Sequence, residues 1–295
     1  MTTVGLIGLG IMGMAYAGNL SRKGFSLVGY DPMAEARARL AALPGAVAVD
    51  SPAEVAAQAD VILMALPSVT ALEAVVEAMA PALRPGQVLA EMGTLPIPAK
   101  EAARDRMAEC GAVLMDCPVS GTGAQAEKGD LVVYLSGPEA AGARLRPVLE
   151  AIAKDIRAVG PFGNGMKLKL VANLLVSIHN LATAEALLFA QRQGLDLRMV
   201  YDAIAGGGAA TSRMFEVRGP LMIEDRYEPA TMKMDVYMKD VALILEQAQA
   251  VDAPIPLMAA TVPYYEAGLT QGRHKQDTAA LFAVLAQLAE EGASC

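Results

Sequence analysis

Short apolar runs that alternate with helical stretches are the feature that most restricts how this chain can fold. They occupy the chain from residue 2 to about residue 160, and several are continuous apolar blocks bounded by Gly, Pro or Asp. Strands this apolar are buried on both faces, so the pattern predicts a mostly parallel sheet covered by helices. The runs are TVGLIGLG, FSLVGYD, AVAVD, DVILMALP, QVLAEMG, AVLMDCP and LVVYLSG.

The pattern changes near residue 161, where GPFGNG places three glycines and a proline within six residues. Beyond this point the strand signal almost disappears and long helical patterns follow. We therefore predict an α/β domain at residues 1–161 and an all-helical domain at residues 162–295. Breaks between helices are expected at GLD (194–196), GGGAATS (206–212), RGP (218–220) and DAPIP (252–256).

The composition limits the partners and the compartment. A net charge of -8 argues against a nucleic acid or an anionic membrane surface as partner. The three cysteines, Cys110, Cys117 and Cys295, form no CxxC pair, as is typical of a reducing compartment. The opening MTTVGLIGLG lacks a signal-peptide pattern. We therefore expect a cytoplasmic protein that acts on small molecules.

Residues 170–190 form an apolar segment about as long as a bilayer-spanning helix. The segment carries Asn173, His179, Asn180 and Glu185, each of which is costly in lipid. We therefore interpret it as a helix buried on most sides within a folded protein and expect no membrane association. Such a helix needs more cover than a small domain provides, which predicts a homodimer or homotetramer.

The loop GLGIMG, residues 8–13, directly follows the first predicted strand and opens a helical stretch. Its glycines fill a GxGxxG pattern, which permits a tight turn and close approach of the backbone to a pyrophosphate at the helix start. We predict a Rossmann-type doubly wound domain that binds NAD(P); a tight strand–helix turn is the alternative. The candidate cofactor residues in this loop are Gly8, Leu9, Gly10, Ile11, Met12 and Gly13.

Asp31 ends the second predicted strand, where a carboxylate accepts hydrogen bonds from ribose hydroxyls and repels a 2′-phosphate. NAD is therefore favoured over NADP, although two nearby arginines could soften the choice, and Asp31 could instead cap a helix before Pro32. Ligands in such sheets lie at the carboxyl ends of strands, which adds Leu66, Pro67 and Thr94 as cofactor candidates. Thr94 could equally cap the next helix.

A nicotinamide cofactor carries a hydride, so the protein has to supply a group that moves the matching proton on the substrate oxygen. Neither histidine is well placed, because His179 lies in the apolar helix and His274 in a polar loop. A lysine becomes the candidate by elimination, since it can act as a general acid or base.

Helical phase separates the two lysines of GNGMKLKLVAN, residues 163–173. Lys169 shares one face with Asn173, Ser177 and Asn180, so these four residues form a polar stripe along an apolar helix. Lys167 lies about 200° around the helix from Lys169 and is interpreted as a solvated end residue.

The chain resembles the β-hydroxyacid dehydrogenase family, which includes 3-hydroxyisobutyrate dehydrogenase and tartronate semialdehyde reductase, across essentially its full length. In that family the catalytic lysine is followed four residues later by an asparagine, and this register falls on Lys169 and Asn173. The resemblance implies that the lysine moves the proton and that the asparagine holds the substrate. The matching segments are GLGIMG, DCPVSGTGAQAEKGDL, GPFGNGMKLKLVAN and the KD pair of VYMKDVALILEQA.

The segment at residues 116–131 looks like the family's substrate-binding loop, which implies that Ser120, Gly121 and Thr122 hold a carboxylate. A plain turn between strands is the alternative, and a nucleophilic role for Cys117 is disfavoured because no histidine lies nearby in sequence. Lys239 and Asp240 match the family's KD pair, which implies a place near the nicotinamide, and of the two we take Lys239 as a cofactor candidate. The alternative is an ordinary solvated ion pair between them.

Several positions depart from the family pattern and put the identity of the substrate in doubt. They lie in the substrate pocket that the resemblance implies and leave the hydride chemistry untouched. Imine reductases share the architecture but commonly carry Asp or Tyr as proton donor, and a catalytically silent nucleotide-binding scaffold is a second alternative. The departures are Gly93, Thr122, Gln125, Asp130 and Thr231.

Overall fold

The computed structural model of the protein describes residues 2–293, so Cys295 lies outside the described residues. The chain divides into two compact units, and the division falls between Lys169 and Leu170. The sequence places the boundary earlier, at residue 161, just before the helix that runs through the division.

Six parallel strands form the main sheet of the first unit. The sheet has the order β3-β2-β1-β4-β5-β6, so the chain winds outward from β1 to one edge and then from β4 to the other. This order reverses between β1 and β4, which opens a crevice at the carboxyl ends of these strands. The strands are β1 (Thr3–Ile7), β2 (Ser26–Tyr30), β3 (Ala46–Ala48), β4 (Val61–Met64), β5 (Val88–Glu91) and β6 (Val113–Asp116).

Both faces of this sheet are buried, which confirms the interpretation of the apolar runs. Side chains alternate along each strand, so Leu6 and Leu63 belong to one hydrophobic cluster while Ile7 and Ile62 belong to the other. The helices that cover the faces are α1 (Ile11–Arg22), α2 (Ala34–Ala41), α3 (Pro52–Gln58), α4 (Val69–Met79) and α5 (Ile97–Glu109).

A smaller second sheet follows in the same unit. It consists of β7 (Val119–Ser120), β8 (Val132–Leu135) and β9 (Asp155–Ala158), with β7 antiparallel and β9 parallel to β8. The run LVVYLSG is therefore confirmed as a strand, but it lies outside the main sheet. The other two strands are too short or too polar to stand out in the sequence. Two helices separate the strands, α6 (Gly123–Glu127) and α7 (Glu139–Leu149).

The regular elements of the second unit are all helices across the described residues, apart from one isolated bridge between Lys233 and Asp277, which confirms the predicted all-helical half. Breaks occur at GLD, GGGAATS and DAPIP, as predicted. The helix α8 (Asn164–Arg192) enters this unit from the first, and the other helices follow. They are α9 (Leu197–Ile204), α10 (Arg213–Ile223), α11 (Met234–Ala250), α12 (Pro256–Thr270) and α13 (Leu281–Ala293).

The predicted break at RGP is wrong, because α10 continues through Pro220. A proline inside a helix removes the hydrogen bond to the carbonyl four residues earlier, here that of Glu216. The Tyr201 hydroxyl donates to that carbonyl oxygen at 3.0 Å. A side chain from α9 thus satisfies the group that Pro220 leaves open, and the helix continues.

Replacing Tyr201 with phenylalanine is therefore expected to lower the free energy of unfolding by about 1 kcal/mol, because the Glu216 carbonyl loses its donor. Urea unfolding of the variant measures this loss. Tyr264→Phe serves as control because it removes a hydroxyl outside this contact. An equal midpoint for Tyr201→Phe and the parent protein would show that the carbonyl finds another donor.

The helix α8 is long and apolar enough to cross a membrane by length and composition, the one such helix among residues 2–293. Only 44% of its most apolar stretch is buried within the chain. The sequence led us to expect a helix buried on most sides, and a single chain does not bury it to that extent. Its uncovered face carries Val171, Leu175 and Phe189, exposed by 56%, 46% and 68%.

Candidate active site

The glycine loop between β1 and α1 is folded so tightly that two of its glycines admit no side chain. Gly8 has φ of 87°, and a Cβ on Gly13 would overlap the Gly8 carbonyl oxygen. Gly10 differs, because a Cβ there would meet nothing within 4 Å and the residue is exposed. Gly10 therefore keeps the space in front of α1 open, while the other two glycines shape the turn.

The start of α1 fits an anionic ligand. Gly10 is the N-cap, no side chain caps the helix, and the first turn holds no acidic residue. The first backbone N–H groups of any helix lack partners within it and carry its positive end. The Leu9 side chain is buried in the core, whereas Ile11 is 74% exposed beside the loop. A dinucleotide pyrophosphate therefore suits the residues present.

We expect Gly13→Ala and Gly10→Ala to separate these roles. Gly13→Ala forces the loop apart, so it should lower the free energy of unfolding by about 1–3 kcal/mol. Gly10→Ala should unfold within about 1 kcal/mol of the parent protein but bind NADH at least about tenfold more weakly, because its methyl enters the open space. Thermal unfolding and NADH fluorescence titration measure both effects. Unchanged NADH affinity in Gly10→Ala would count against this loop as the pyrophosphate site.

Asp31 holds the glycine loop from the end of β2. One carboxylate oxygen accepts from the Leu9 N–H at 2.8 Å and the other from the Met33 N–H at 2.9 Å. Met33, not Asp31, is the N-cap of α2. Arg37 donates to the Asp31 carbonyl at 2.8 Å, and Arg39 donates to the Leu9 carbonyl at 3.2 Å. Both arginines thus bend onto the backbone around the candidate ribose site.

The ends of β4 and β5 carry the remaining strand-end candidates. Leu66 is buried, Pro67 is exposed and Thr94 is half-buried. Pro96 occupies the N-cap of α5, so the alternative of Thr94 as a cap is wrong. At the departure Gly93, a Cβ would lie 2.8 Å from the Glu91 carboxylate, so a side chain would crowd that carboxylate.

The candidate substrate loop is a turn closed by its own side chains. Gly121 has φ of 141°, a conformation that favours glycine. Thr122 caps α6, and the Gln125 amide oxygen accepts from the Thr122 N–H at 2.9 Å. The two departures from the family pattern therefore form one capping box. This box occupies the Thr122 hydroxyl and leaves Ser120, at the end of β7, as the uncommitted hydroxyl of the loop.

The two glycine loops lie side by side within the first unit. A Cβ built on Gly123 would lie 2.8 Å from the Ile11 side chain. The helices behind the loops are joined as well, because the Asn19 amide nitrogen donates to the Ala126 carbonyl at 2.6 Å. A molecule bound at the start of α1 would therefore face the loop at residues 119–123.

The structure separates the two lysines as helical phase predicts. Lys169 is 9% exposed, whereas Lys167 is exposed. The polar stripe continues along α8 with Asn173, Ser177 and Asn180, which are 5%, 0% and 0% exposed. Three polar side chains in one buried row follow Lys169, and Lys167 stays at the solvated end of the helix.

Asp240 belongs to this polar row and was missed as a site residue. The Asn173 amide nitrogen donates to the Asp240 carboxylate at 2.8 Å, and the Tyr237 hydroxyl donates to the Asn173 carbonyl at 2.9 Å. Asp240 is 7% exposed, so a solvated ion pair with the exposed Lys239 is wrong for it. A signal existed, because Asp240 shares the apolar stripe of α11 with Tyr237 and Ile244.

The remaining reactive residues offer no second centre. Burial raises the pKa of the Cys117 thiol well above its usual range, which disfavours a nucleophilic role. His179 is half-buried and His274 is exposed. Between residues 2 and 293, no three His, Cys, Asp or Glu side chains come together as a metal site.

Comparison with known proteins agrees with this architecture. Residues 3–160 match the family described as the NAD binding domain of 6-phosphogluconate dehydrogenase. Residues 163–285 match the family described as NAD-binding of NADP-dependent 3-hydroxyisobutyrate dehydrogenase. The chain is 34% identical to L-threonate dehydrogenase of Cupriavidus necator, over 95% of each chain.

Two further proteins resemble the whole chain. It is 33% identical to 2-hydroxy-3-oxopropionate reductase of Escherichia coli, over 97% of this chain and 98% of that one. The structure of Mycobacterium tuberculosis 3-hydroxyisobutyrate dehydrogenase with L-serine matches it with a TM-score of 0.89 and 26% identity, over 97% and 99% of the chains. The chain therefore belongs to the β-hydroxyacid dehydrogenase family and is an NAD(P)-dependent dehydrogenase.

Proposed function

We propose that this enzyme transfers a hydride between NAD(P) and a small β-hydroxy acid or its semialdehyde, with Lys169 as general acid and base. The observation that carries this assignment is the buried polar row on α8, which begins at Lys169. The names of the relatives describe short carboxylic acids with hydroxyl or oxo groups. The M. tuberculosis relative was solved with L-serine, which bears a hydroxyl on its β-carbon.

The residues take the following roles in this proposal. Lys169 gives a proton to the carbonyl oxygen during reduction and accepts the hydroxyl proton during oxidation. Asp240 holds the Asn173 amide by its nitrogen, which leaves the amide oxygen for the substrate hydroxyl. Ser120 and the backbone N–H of Gly121 hold the substrate carboxylate, since a free N–H group in a glycine turn suits an anion. Thr122, whose N–H already donates to Gln125, lines the loop beside them.

The cofactor supplies the hydride and is held by the first domain, residues 1–161 in the predicted division. The start of α1 receives the pyrophosphate, Asp31 the adenosine ribose, and the ends of β4 and β5 the remainder. Lys239, from the second half of the chain, is a further cofactor candidate that the family resemblance implies. Residues 162–295, the proposed substrate and oligomerisation domain, then supply Lys169 and Asn173 to the substrate and form the contacts between subunits.

We propose NAD as the preferred cofactor, and Asp31→Ser tests this choice. The parent enzyme should show a higher kcat/KM with NAD than with NADP, because the Asp31 carboxylate repels a 2′-phosphate. The variant should lower that ratio at least about tenfold, equivalent to about 1.4 kcal/mol. Glu35→Gln, an exposed position on α2, is the matched control. A ratio that stays constant in Asp31→Ser would remove the basis for the NAD assignment.

We also propose that the exposed face of α8 joins two copies of the chain. Val171, Leu175 and Phe189 lie on that face and would be covered in a homodimer or homotetramer. Light scattering of the purified protein measures the mass, and a monomer at micromolar concentration would contradict this assembly.

Unpaired Cys110 and Cys117 support a reducing, cytoplasmic location.

A substrate panel tests the proposed reaction. Short β-hydroxy acids are offered with NAD and with NADP, and formation of the reduced nicotinamide is followed by absorbance. One acid of the panel should give saturable turnover that requires both its carboxylate and its β-hydroxyl. Cyclic imines with NADPH form the second arm. Turnover of imines alone would identify an imine reductase, and cofactor binding without any turnover would identify a silent scaffold.

A further inference from the structure

A buried charged cluster lies beneath the start of α8, outside the residues assigned above. Lys100 of α5 contacts Glu91 at the end of β5 at 2.6 Å and Asp116 at the end of β6 at 2.7 Å. All three side chains are 0% exposed. Burial raises the pKa of Glu91, and the two carboxylates, working against burial, raise the pKa of Lys100.

The second carboxylate oxygen of Asp116 is hydrogen-bonded to the backbone of α8. It accepts from the Met166 N–H at 2.8 Å and from the Ser136 hydroxyl at 3.0 Å. The Ser136 hydroxyl oxygen in turn accepts from the Gly165 N–H at 3.0 Å. Two backbone N–H groups of the first turn of α8 thus donate to this anchor, one to the Asp116 carboxylate and one to the Ser136 hydroxyl. The carboxylate is stabilised there because the start of a helix carries a partial positive charge.

The same turn packs closely against the second sheet. A Cβ on Gly165 would lie 2.7 Å from the Tyr134 carbonyl oxygen and 3.0 Å from that of Asp116. Because Gly165 has no side chain, the α8 backbone can approach Asp116 and Ser136 closely enough to donate its hydrogen bonds. Both the depth and the rotation of the first turn are therefore fixed. Lys169 follows Met166 by three residues, on the next turn of the same helix.

A helix start needs no charged cluster, because a neutral serine or asparagine also caps it. Burying two carboxylates with one ammonium opposes folding unless the groups are well paired. In return, charge-assisted hydrogen bonds are short and directional. Lys100 fixes Asp116, and Glu91 accepts from the Gly93 N–H at 2.8 Å, beside the candidate cofactor residue Thr94. The cluster thus ties the start of α8 to the strand ends that border the cofactor crevice.

We propose that Asp116, held by Lys100 and Ser136, is a positioning residue that sets the place of the Lys169 ammonium by anchoring the first turn of α8. This inference rests on the proposed catalytic role of Lys169. A misplacement of about 1 Å at a reacting group lowers turnover by up to about a hundredfold. The effect should fall on kcat, since the Asp116 side chain contacts Lys100, Ser136 and the Met166 N–H rather than the start of α1 or the loop at residues 119–123.

A double-mutant cycle between Asp116→Asn and Lys169→Ala tests the inference, with single-turnover hydride transfer as the assay. Asp116→Asn alone should lower the rate by about ten- to a hundredfold, with KM and NAD affinity within about threefold. In the Lys169→Ala background the same substitution should change the residual rate by less than about twofold. Hydrogen exchange at residues 165–169 should rise. Asp105→Asn, exposed on α5, is the control.

Equal losses in both backgrounds would show a merely structural role for Asp116 and overturn the inference, as would an unchanged rate in the single variant. Parent-like turnover in Lys169→Ala would instead refute the proposed catalytic lysine, and this inference with it. If Asp116→Asn does not fold, Ser136→Ala enters the same cycle. It removes the acceptor of the Gly165 N–H, and we expect a loss of about three- to tenfold that also disappears without Lys169.

Discussion

Lys169→Ala is expected to lower turnover by about 10²- to 10⁴-fold, because the substrate oxygen loses the group that moves its proton. NAD affinity should stay within about twofold, since the start of α1 and Asp31 remain intact. Steady-state turnover with the best acid of the panel and NADH titration give the two values. Lys169 is 9% exposed and its row on α8 is buried, so solvent does not readily replace the lost group.

Lys167→Ala is the matched control, because this lysine lies two residues earlier on the same helix and is exposed. Its turnover should remain within about twofold of the parent enzyme, as is usual for a solvated surface lysine. Similar losses in the two variants would mean that the general basicity of the helix start matters, and parent-like turnover in Lys169→Ala would contradict the assignment.

Lys100→Met should produce the largest loss of stability. The substitution leaves the buried Glu91 and Asp116 carboxylates without their cation, and breaking a buried ion pair in this way costs about 3–5 kcal/mol. Urea unfolding at neutral pH measures the loss. Lys154→Met is the control, because its ion pair with Asp130 lies at the surface, with side chains 54% and 43% exposed. Adding Glu91→Gln to Lys100→Met should restore part of the stability, since one uncompensated charge disappears.

The pH dependence of that loss follows from the pKa of Glu91. Burial raises this pKa in the folded state, so the folded protein binds more protons than the unfolded chain as the pH passes above the ordinary value. Stability therefore falls as the pH rises toward the raised pKa. Without the Lys100 ammonium the pKa rises further, so Lys100→Met should lose less stability at mildly acidic pH than at alkaline pH. Thermal unfolding that shows an equal loss across this range would contradict the account of the cluster.

The main sheet and the helical second half were predictable because their signals are local and repeated. Apolar runs bounded by turn residues become β1 to β6, and the GxGxxG pattern fixes the start of α1. Helical phase alone separates Lys169 from Lys167, since burial follows the face of a helix. The wrong break at RGP shows the limit of local signals. The helix continues through Pro220 because the Tyr201 hydroxyl, from another helix, bonds the carbonyl that Pro220 leaves without a donor.

The residues that sequence reasoning missed depend on contacts across topology. Glu91, Lys100 and Asp116 lie in three different elements, and only the order of β5, α5 and β6 brings them together. In the sequence Asp240 has the pattern of a surface acid beside a lysine, and only the folded structure shows that it contacts Asn173. The departures Thr122 and Gln125 are unremarkable singly, yet together they close one capping box.

The measurement that tests the central claim most directly uses a β-hydroxy acid with deuterium on its carbinol carbon, mixed with the NAD-loaded enzyme. We predict that deuterium appears on the nicotinamide ring of the NADH formed. Lys169→Ala should give the same labelled product about 10²- to 10⁴-fold more slowly. Unlabelled NADH, or labelled NADH at the parent rate from Lys169→Ala, would contradict the proposed reaction or the proposed proton carrier, respectively.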